Sequence, residues 1–274
     1  MTETSASSAS PPALRPVVES RRFAAPRAIT ALILREMVST YGRTPLGYLW
    51  AVLEPVAGIA LLTVIFSMGF RSPPLGTNFP IFYASGLVPF VLYMDVSNKV
   101  MDSLRFSSQL LVYPRVTFTD AILARFILNL LTQLLVAYIL FSGIVILFDA
   151  RTAPALPGIA LGLAMAASLG LGIGTLNCFL IGVMPAWQRV WAILNRPLFL
   201  ISCIFFLFES VPEPFRSILW YNPLVHVVGQ TRSGFYPYYE APYVSLIYVF
   251  GIALISLLLG LVFLRRYARF ILQN

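Results

Sequence analysis

Charged residues stand at the start of an apolar run in YGRTPLGYLWAVLEP, residues 41–55. Arginine binds phosphate and carboxylate groups through two parallel hydrogen bonds. Arg35 and Arg43 could therefore receive an anionic group, with Glu54 holding them in place. The alternative is structural: an ion pair near a membrane surface and a kink at Pro55, which lacks the N–H that a helix needs. The residues leave both interpretations open.

The single lysine argues against nucleotide binding by this chain. A P-loop requires G-x-x-x-x-G-K-[ST], and Lys99 lies in SNKVMD with no preceding glycine. The lone His226 cannot form a histidine cluster, and both Cys178 and Cys203 lie in apolar runs that predict small buried residues. We therefore expect no metal, no cofactor and no catalysis in this chain.

The chain is far less charged than a soluble domain. Its 274 residues are 58% hydrophobic and 11% charged, and the mean hydropathy is +0.82. Runs of about 20 apolar residues cross a bilayer as helices. We predict an all-α membrane protein with six spans, at residues 49–69, 80–98, 121–148, 158–183, 190–208 and 244–264.

The fourth predicted span carries glycines at four-residue spacing. Such small faces let helices approach closely, which predicts packing within the subunit. These glycines are Gly158, Gly162, Gly170 and Gly174.

The basic residues indicate the orientation. Most of the 19 lie in the N-terminal segment, the loop after the second span, the connection before the fifth span, and the C-terminal tail. By the positive-inside rule these segments, and hence both termini, are cytoplasmic. The net charge of +8 is mostly this bias, so membrane lipids are the expected partner and nucleic acid is not.

Four segments are too polar or too short to span. Residues 1–26, rich in Ser, Ala, Pro and Arg, predict a disordered cytoplasmic arm. Residues 27–43 predict an amphipathic surface helix, or else an extension of the first span. The loop 99–120 predicts a short helix whose apolar face is buried by the protein's own body or by another subunit. The segment 209–243 predicts two short helices separated by Asn222 and Pro223, with aromatics that anchor at the membrane interface or stack on sugar rings.

The predicted surface helix at residues 27–43 carries an apolar stripe on one face. The stripe consists of Ile29, Leu32, Ile33, Met37 and Tyr41.

These pieces together resemble the ABC-2-type export permeases, in particular the membrane subunits of capsular polysaccharide exporters. LREM with YGRTPLGYLWAVLEP, then LVYPRVTFTD, then YNPLVHVV carry the resemblance. It implies a bacterial inner-membrane homodimer around a channel, with two copies of a separate ATPase that bind ATP and Mg²⁺. It also implies a polysaccharide or glycolipid substrate, a periplasmic adaptor and an outer-membrane exporter. Relatives that export O-antigen or teichoic acid share this plan, and an ion-coupled carrier or a structural membrane protein is the alternative of another class.

The resemblance also assigns roles to residues. Residues 27–43 become an interface helix, the loop 102–113 a coupling helix for the ATPase, and 209–243 a periplasmic gate. The substrate entrance would comprise Arg35, Arg43, Tyr48, Trp50 and Glu54. The coupling helix would use Leu104, Gln109, Leu110, Leu111, Tyr113, Pro114 and Arg115. The gate and channel would use Trp220, Tyr221, Asn222, His226, Arg232, Phe235 and Tyr236.

Overall fold

A computed structural model describes residues 24–41, 47–111, 117–148 and 154–273. Over these ranges the chain is helical, with no strand. The predicted arm lies almost entirely outside the described residues. The helices are α1 (Ala24–Tyr41), α2 (Gly47–Gly69), α3 (Phe79–Met101), α4 (Ser103–Leu111), α5 (Phe118–Leu147), α6 (Leu156–Val183), α7 (Trp187–Ile201), α8 (Phe215–Trp220), α9 (Pro223–Phe235) and α10 (Leu246–Gln273), with a 3-10 turn at Phe208–Ser210.

Five of these helices are long and apolar enough to cross a membrane. They are α2, α3, α5, α6 and α10, and they match five of the predicted spans to within a few residues at most ends. The largest difference is at α10, which continues to Gln273, beyond the predicted end of the last span at residue 264. Long unbroken apolar runs explain the agreement, since no other backbone satisfies its own hydrogen bonds in lipid.

The prediction of a fifth span at 190–208 is wrong in extent. The helix there, α7, has 15 residues and ends at Ile201. At 1.5 Å per residue it is about 22 Å long, short of a hydrocarbon core of about 30 Å. The chain leaves the helix at Cys203, which has a left-handed backbone (φ 58°), and the next carbonyls bind a side chain of α9. The described residues therefore do not confirm six full spans.

The core of the protein forms around α6, which packs against α3, α9 and α10. A Cβ at Gly162 would lie 2.2 Å from the Thr231 hydroxyl oxygen, and one at Gly174 would lie 2.8 Å from the Ser97 carbonyl. Only glycine permits such approach, so the predicted packing role of the α6 glycines is confirmed. By contrast, α2 and α10 expose most of their apolar surface.

A capping box starts α5 and explains the motif TFTD. The Thr117 hydroxyl accepts from the Asp120 backbone N–H at 3.2 Å, and the Asp120 carboxylate accepts from the Thr117 backbone N–H at 3.0 Å. This reciprocal pair satisfies two N–H groups that a helix start otherwise leaves free. The cap sets where α5 begins, and therefore the position of Arg125 two turns later.

Candidate functional site

A buried ion pair joins the first helix to the bundle at the end of the molecule that carries α4. The Arg125 Nε atom of α5 donates to the Glu36 Oε1 atom of α1 at 2.9 Å. The Nη1 atom of Arg125 also donates to the Lys99 carbonyl, near the end of α3, at 3.0 Å. The guanidinium lies 4.2 Å from the ring centroid of Phe106 in α4. One arginine therefore connects α1, α3, α4 and α5.

The electrostatics of this pair follow from its burial. The side chains of Arg125 and Glu36 are only 7% and 3% exposed. Two charges removed from water attract strongly, but each becomes costly if its partner is lost. The Phe106 ring adds a cation–π contact. The buried pair therefore joins α1 to α5 with little access for water, and the Phe106 ring places α4 against the same arginine.

Sequence reasoning missed Glu36. The predicted stripe on α1 was the face of a helix lying in the membrane surface, and on that face Met37 is exposed whereas Leu32 is buried together with Glu36. The side chain of Tyr41, the last residue of that stripe, lies outside the described side chains. Glu36 follows Leu32 by four residues, so it lies on the same helix face. The sequence did contain a signal for this ion pair. Glu36 is a carboxylate on an otherwise apolar helix face, and Arg125 lies just inside the third predicted span.

Three of the predicted entrance residues, Arg35, Trp50 and Glu54, have side chains that the structure describes, and all three are exposed. Arg35 is exposed and lies 5.7 Å from the Phe106 ring centroid, and Glu54 is exposed and forms no ion pair with a described residue. Trp50 is 67% exposed on α2. Arg43 and the side chain of Tyr48 lie outside the described part of the chain. The entrance therefore stays a prediction.

The predicted coupling helix forms as α4, and part of its apolar face packs inside the protein itself. Leu104 is buried, and Phe106 is half-buried beside Arg125. The sequence left open whether this apolar face is buried by the protein's own body or by another subunit. For Leu104, the protein's own body buries it. Tyr113, Pro114, Arg115 and the side chains of Leu110 and Leu111 lie outside what the structure describes.

The surface that α4 leaves open is polar. Arg105, Ser108 and Gln109 are exposed. Arg105 also donates from Nη1 to the Gln188 Oε1 atom, in the first turn of α7, at 2.7 Å. The same short helix therefore contacts the side chains of both α5 and α7.

At the other end of the bundle, the predicted pair of short helices forms as α8 and α9. The Asn222 side chain accepts from the Leu224 N–H at 3.0 Å, and Pro223 occupies the first turn, where a missing N–H does no harm. This cap explains the motif YNPLVHVV. Burial is heavy along α9, which packs against α3 and α6.

His226 is a fully buried residue of α9 with both ring nitrogens satisfied. The Ser245 N–H donates to Nδ1 at 3.1 Å, so this nitrogen carries no proton. The proton therefore sits on Nε2, which donates to the Trp220 carbonyl at 2.8 Å. Burial lowers the pKa of His226 below its ordinary value of 6.5, which keeps the ring neutral. The histidine thus links α8, α9 and the start of α10.

Arg232 holds the chain that follows α7. Its Nη1 atom donates to the carbonyls of Cys203 (2.7 Å) and Phe206 (3.0 Å), and Nη2 donates to that of Ile204 (2.7 Å). The guanidinium stacks 4.3 Å from the Phe82 ring centroid of α3. A cation thus replaces the helical hydrogen bonds that these carbonyls lack, which is why α7 can end where it does.

The predicted gate residues divide by exposure. Tyr221 is 69% exposed, whereas His226, Arg232, Phe235 and Tyr236 are buried. Trp220 is half-buried, and its Nε1 atom donates to the Tyr243 carbonyl at 3.1 Å. The four buried residues hold the segment together rather than line an open surface of the described chain. Their contact with a substrate stays a prediction that requires this segment to move.

Two acidic residues of this segment are exposed. Glu209 accepts from the Tyr239 hydroxyl at 3.1 Å, and burial raises the pKa of Tyr239 to about 12. Glu213 accepts from the hydroxyl of Ser217 at 2.7 Å and from Arg216 at 2.8 Å. These hydrogen bonds lower the pKa of Glu213. Both acids are therefore surface groups with local partners.

Comparison with known proteins connects this architecture to transport. The profile of the ABC-2 type transporter family matches residues 27–236. The polysialic acid transport protein KpsM of Escherichia coli is 33% identical over 86% of this chain and 92% of its own length. The capsule polysaccharide export inner-membrane proteins BexB of Haemophilus influenzae (26% identical) and CtrC of Neisseria meningitidis (24%) each align over 89% of this chain and 92% of their own.

Proposed function

The chain belongs to the ABC-2 type transporter family, and we propose that it is the membrane-spanning subunit of a capsular polysaccharide exporter in a bacterial inner membrane. One observation carries this proposal: relatives named for polysialic acid transport or capsule polysaccharide export align along nearly the whole of both chains. The five long apolar helices agree with a permease role.

Energy for export would come from a separate ATPase, because the sequence contains no P-loop. The exposed polar face of α4, formed by Arg105, Ser108 and Gln109, is the surface on which that ATPase would bind. From α4, the contact of Phe106 with Arg125 leads to α1 and α5. The hydrogen bond from Arg105 to α7 provides a second route. A push on α4 would therefore reach three helices of the bundle.

Two copies of the chain would form the exporter, each with one ATPase subunit. The exposed apolar surface of α2 and α7 would face the second copy or lipid. Both termini would be cytoplasmic, and the segment 209–243 would face the periplasm, where adaptor and outer-membrane proteins continue the path. This arrangement is supported by the distribution of arginine along the sequence.

Complementation tests the export role. In its own host, deletion of this gene should leave polysaccharide inside the cell, and the unmodified chain should restore it to the surface. Failure of an inserted, well-expressed chain to do so, with its ATPase present, would contradict the proposal. The readout is surface polysaccharide measured on intact cells against total polysaccharide in lysates.

A bulky substitution tests the α4 surface. Ser108→Trp adds a large side chain to the exposed face of α4, whereas Thr77→Trp adds the same side chain to an exposed connection before α3. We expect Ser108→Trp to abolish both co-purification of the ATPase and export, and Thr77→Trp to preserve both. Normal co-purification with Ser108→Trp would place the ATPase elsewhere, and residues 27–43 would be the next segment to test.

A further inference from the structure

A groove of about 480 Å³ runs between α3 and α7. Its size falls within the range of small-molecule sites, about 300–1,000 Å³. On α3 the wall includes Phe90 and Asn98, with Asp102 just after the helix, and on α7 it includes Trp191 and Asn195. These positions recur every three or four residues within each helix, so each helix contributes one continuous face.

The groove changes character along its length. The end near α4 is polar, with Asp102 and Gln188 in its wall. The opposite end is closed by Phe90 and Phe199, whose rings meet edge to face at 5.5 Å between centroids. An occupant would therefore enter beside α4 and stop at an aromatic floor.

Two buried polar atoms in this groove lack partners. The Asn195 Oδ1 atom and the Trp191 Nε1 atom form no hydrogen bond with any described residue. Asn195 is only 7% exposed, so water reaches it poorly. Buried polar groups are nearly always paired, and those left unpaired in a concave site indicate a ligand that completes them.

We propose that this groove binds one pyranose ring of the exported polysaccharide, an inference that rests on the proposed function. A sugar hydroxyl both donates and accepts, so it suits the carboxamide of Asn195 and the indole N–H of Trp191 together. The apolar C–H face of the ring packs on the aromatic surface of Phe199.

Other occupants fit less well. A lipid acyl chain would leave the polar atoms of Asn195 and Trp191 unpaired in an apolar surrounding, which is unfavourable. A phosphate would meet Arg196 but also the carboxylate of Asp102. Neither occupant uses the acceptor and the donor at once, as a hydroxyl-bearing ring does.

Cysteine labelling tests the occupant directly. Ala192 is an exposed residue of the groove wall, and Ile193, 65% exposed, is next to it on α7 but outside the groove. Ala192→Cys and Ile193→Cys chains in lipid nanodiscs would be labelled with a maleimide. The native cysteines are buried and serve as the unlabelled background. The two probes share one alkyl chain: octyl glucoside, which carries a pyranose, and octylphosphocholine, which does not.

We expect octyl glucoside to slow labelling at position 192 and not at 193, and octylphosphocholine to slow neither. Asn195→Leu and Trp191→Phe each remove a hydrogen-bonding group while keeping bulk. Each should raise the octyl glucoside concentration that gives half-protection by about two- to tenfold, the loss expected for one hydrogen bond. Equal labelling rates without any probe would show that the variants fold as the parent does.

Three results would overturn the site: no protection by octyl glucoside, equal protection by both probes, or protection that survives both substitutions. Export measured in parallel separates this site from the proposed function. If the unmodified chain does not export, the proposed function fails whatever the labelling shows. If it exports and Asn195→Leu exports equally well, the pyranose site fails and the permease role stands.

Discussion

The ion pair between Glu36 and Arg125 gives the most direct quantitative prediction. Glu36→Ala leaves the Arg125 guanidinium buried with the Lys99 carbonyl and the Phe106 ring as its remaining partners among the described residues. Breaking a buried pair from one side costs about 3–5 kcal/mol. Because the carboxylate is the charged contact from α1 to this arginine, most of that cost should appear as easier release of α1 from α5. Each 1.4 kcal/mol is tenfold in an equilibrium constant, so opening of α1 should rise by at least about 100-fold.

Hydrogen exchange read by mass spectrometry measures this opening. In nanodiscs, peptides covering 27–41 should exchange at least about 100-fold faster in Glu36→Ala, with peptides of α6 unchanged. The double variant Glu36→Leu with Arg125→Met replaces the pair by apolar side chains and should recover most of the protection. Glu213→Ala, which breaks an exposed pair with Arg216 of similar geometry, should change its own peptide little. Exchange in the double variant as fast as in Glu36→Ala would refute the reasoning.

Three further predictions follow from buried contacts elsewhere. Arg232→Lys keeps the charge but cannot reach three carbonyls, so it should lower stability by at least about 2 kcal/mol, read as heat-induced loss of monodisperse protein, whereas the exposed Arg216→Lys should be neutral. Gly172→Ala would place a Cβ 2.2 Å from a carbonyl oxygen of α10 and should prevent stable folding, whereas Gly251→Ala, with open space around it, should not; equal yields would contradict this. Because burial lowers the pKa of His226, the unfolded chain binds a proton first, so stability should fall as the pH drops below about 6.5, and His226→Gln should flatten that dependence.

Five of the predicted spans required only local information. Their apolar runs are long, and in lipid a helix is the conformation that satisfies all backbone hydrogen bonds within one segment. Capping residues close together in the sequence also mark the starts of α5 and α9. They are Thr117 with Asp120, and Asn222 with Pro223. Helices and most of their limits could therefore be predicted because neighbours along the chain decide them.

The features that could not be predicted depend on residues far apart along the chain. The run PLFLISCIFFLF, residues 197–208, reads as helix throughout, but Arg232 binds its carbonyls from 28 residues away and ends the helix. Glu36 was not singled out from the sequence because its partner lies 89 residues further along the chain. The resemblance assigned Arg232 and His226 to the gate and channel, and in the structure both bind backbone groups of the same subunit. Tertiary pairing, not composition, separates these cases.

The buried contacts of Arg232 and of Glu36 differ in the order in which their partners are synthesised. When Arg232 leaves the ribosome, the carbonyls of 203–206 and the Phe82 ring have already been made, so its partners precede it. Glu36 leaves first and must wait until Arg125 follows, 89 residues later. At roughly 5–20 residues per second, that interval is about 4–18 seconds. During that time Glu36 lacks Arg125, its ion-pair partner among the described residues, so the docking of α1 through this pair follows the insertion of α5.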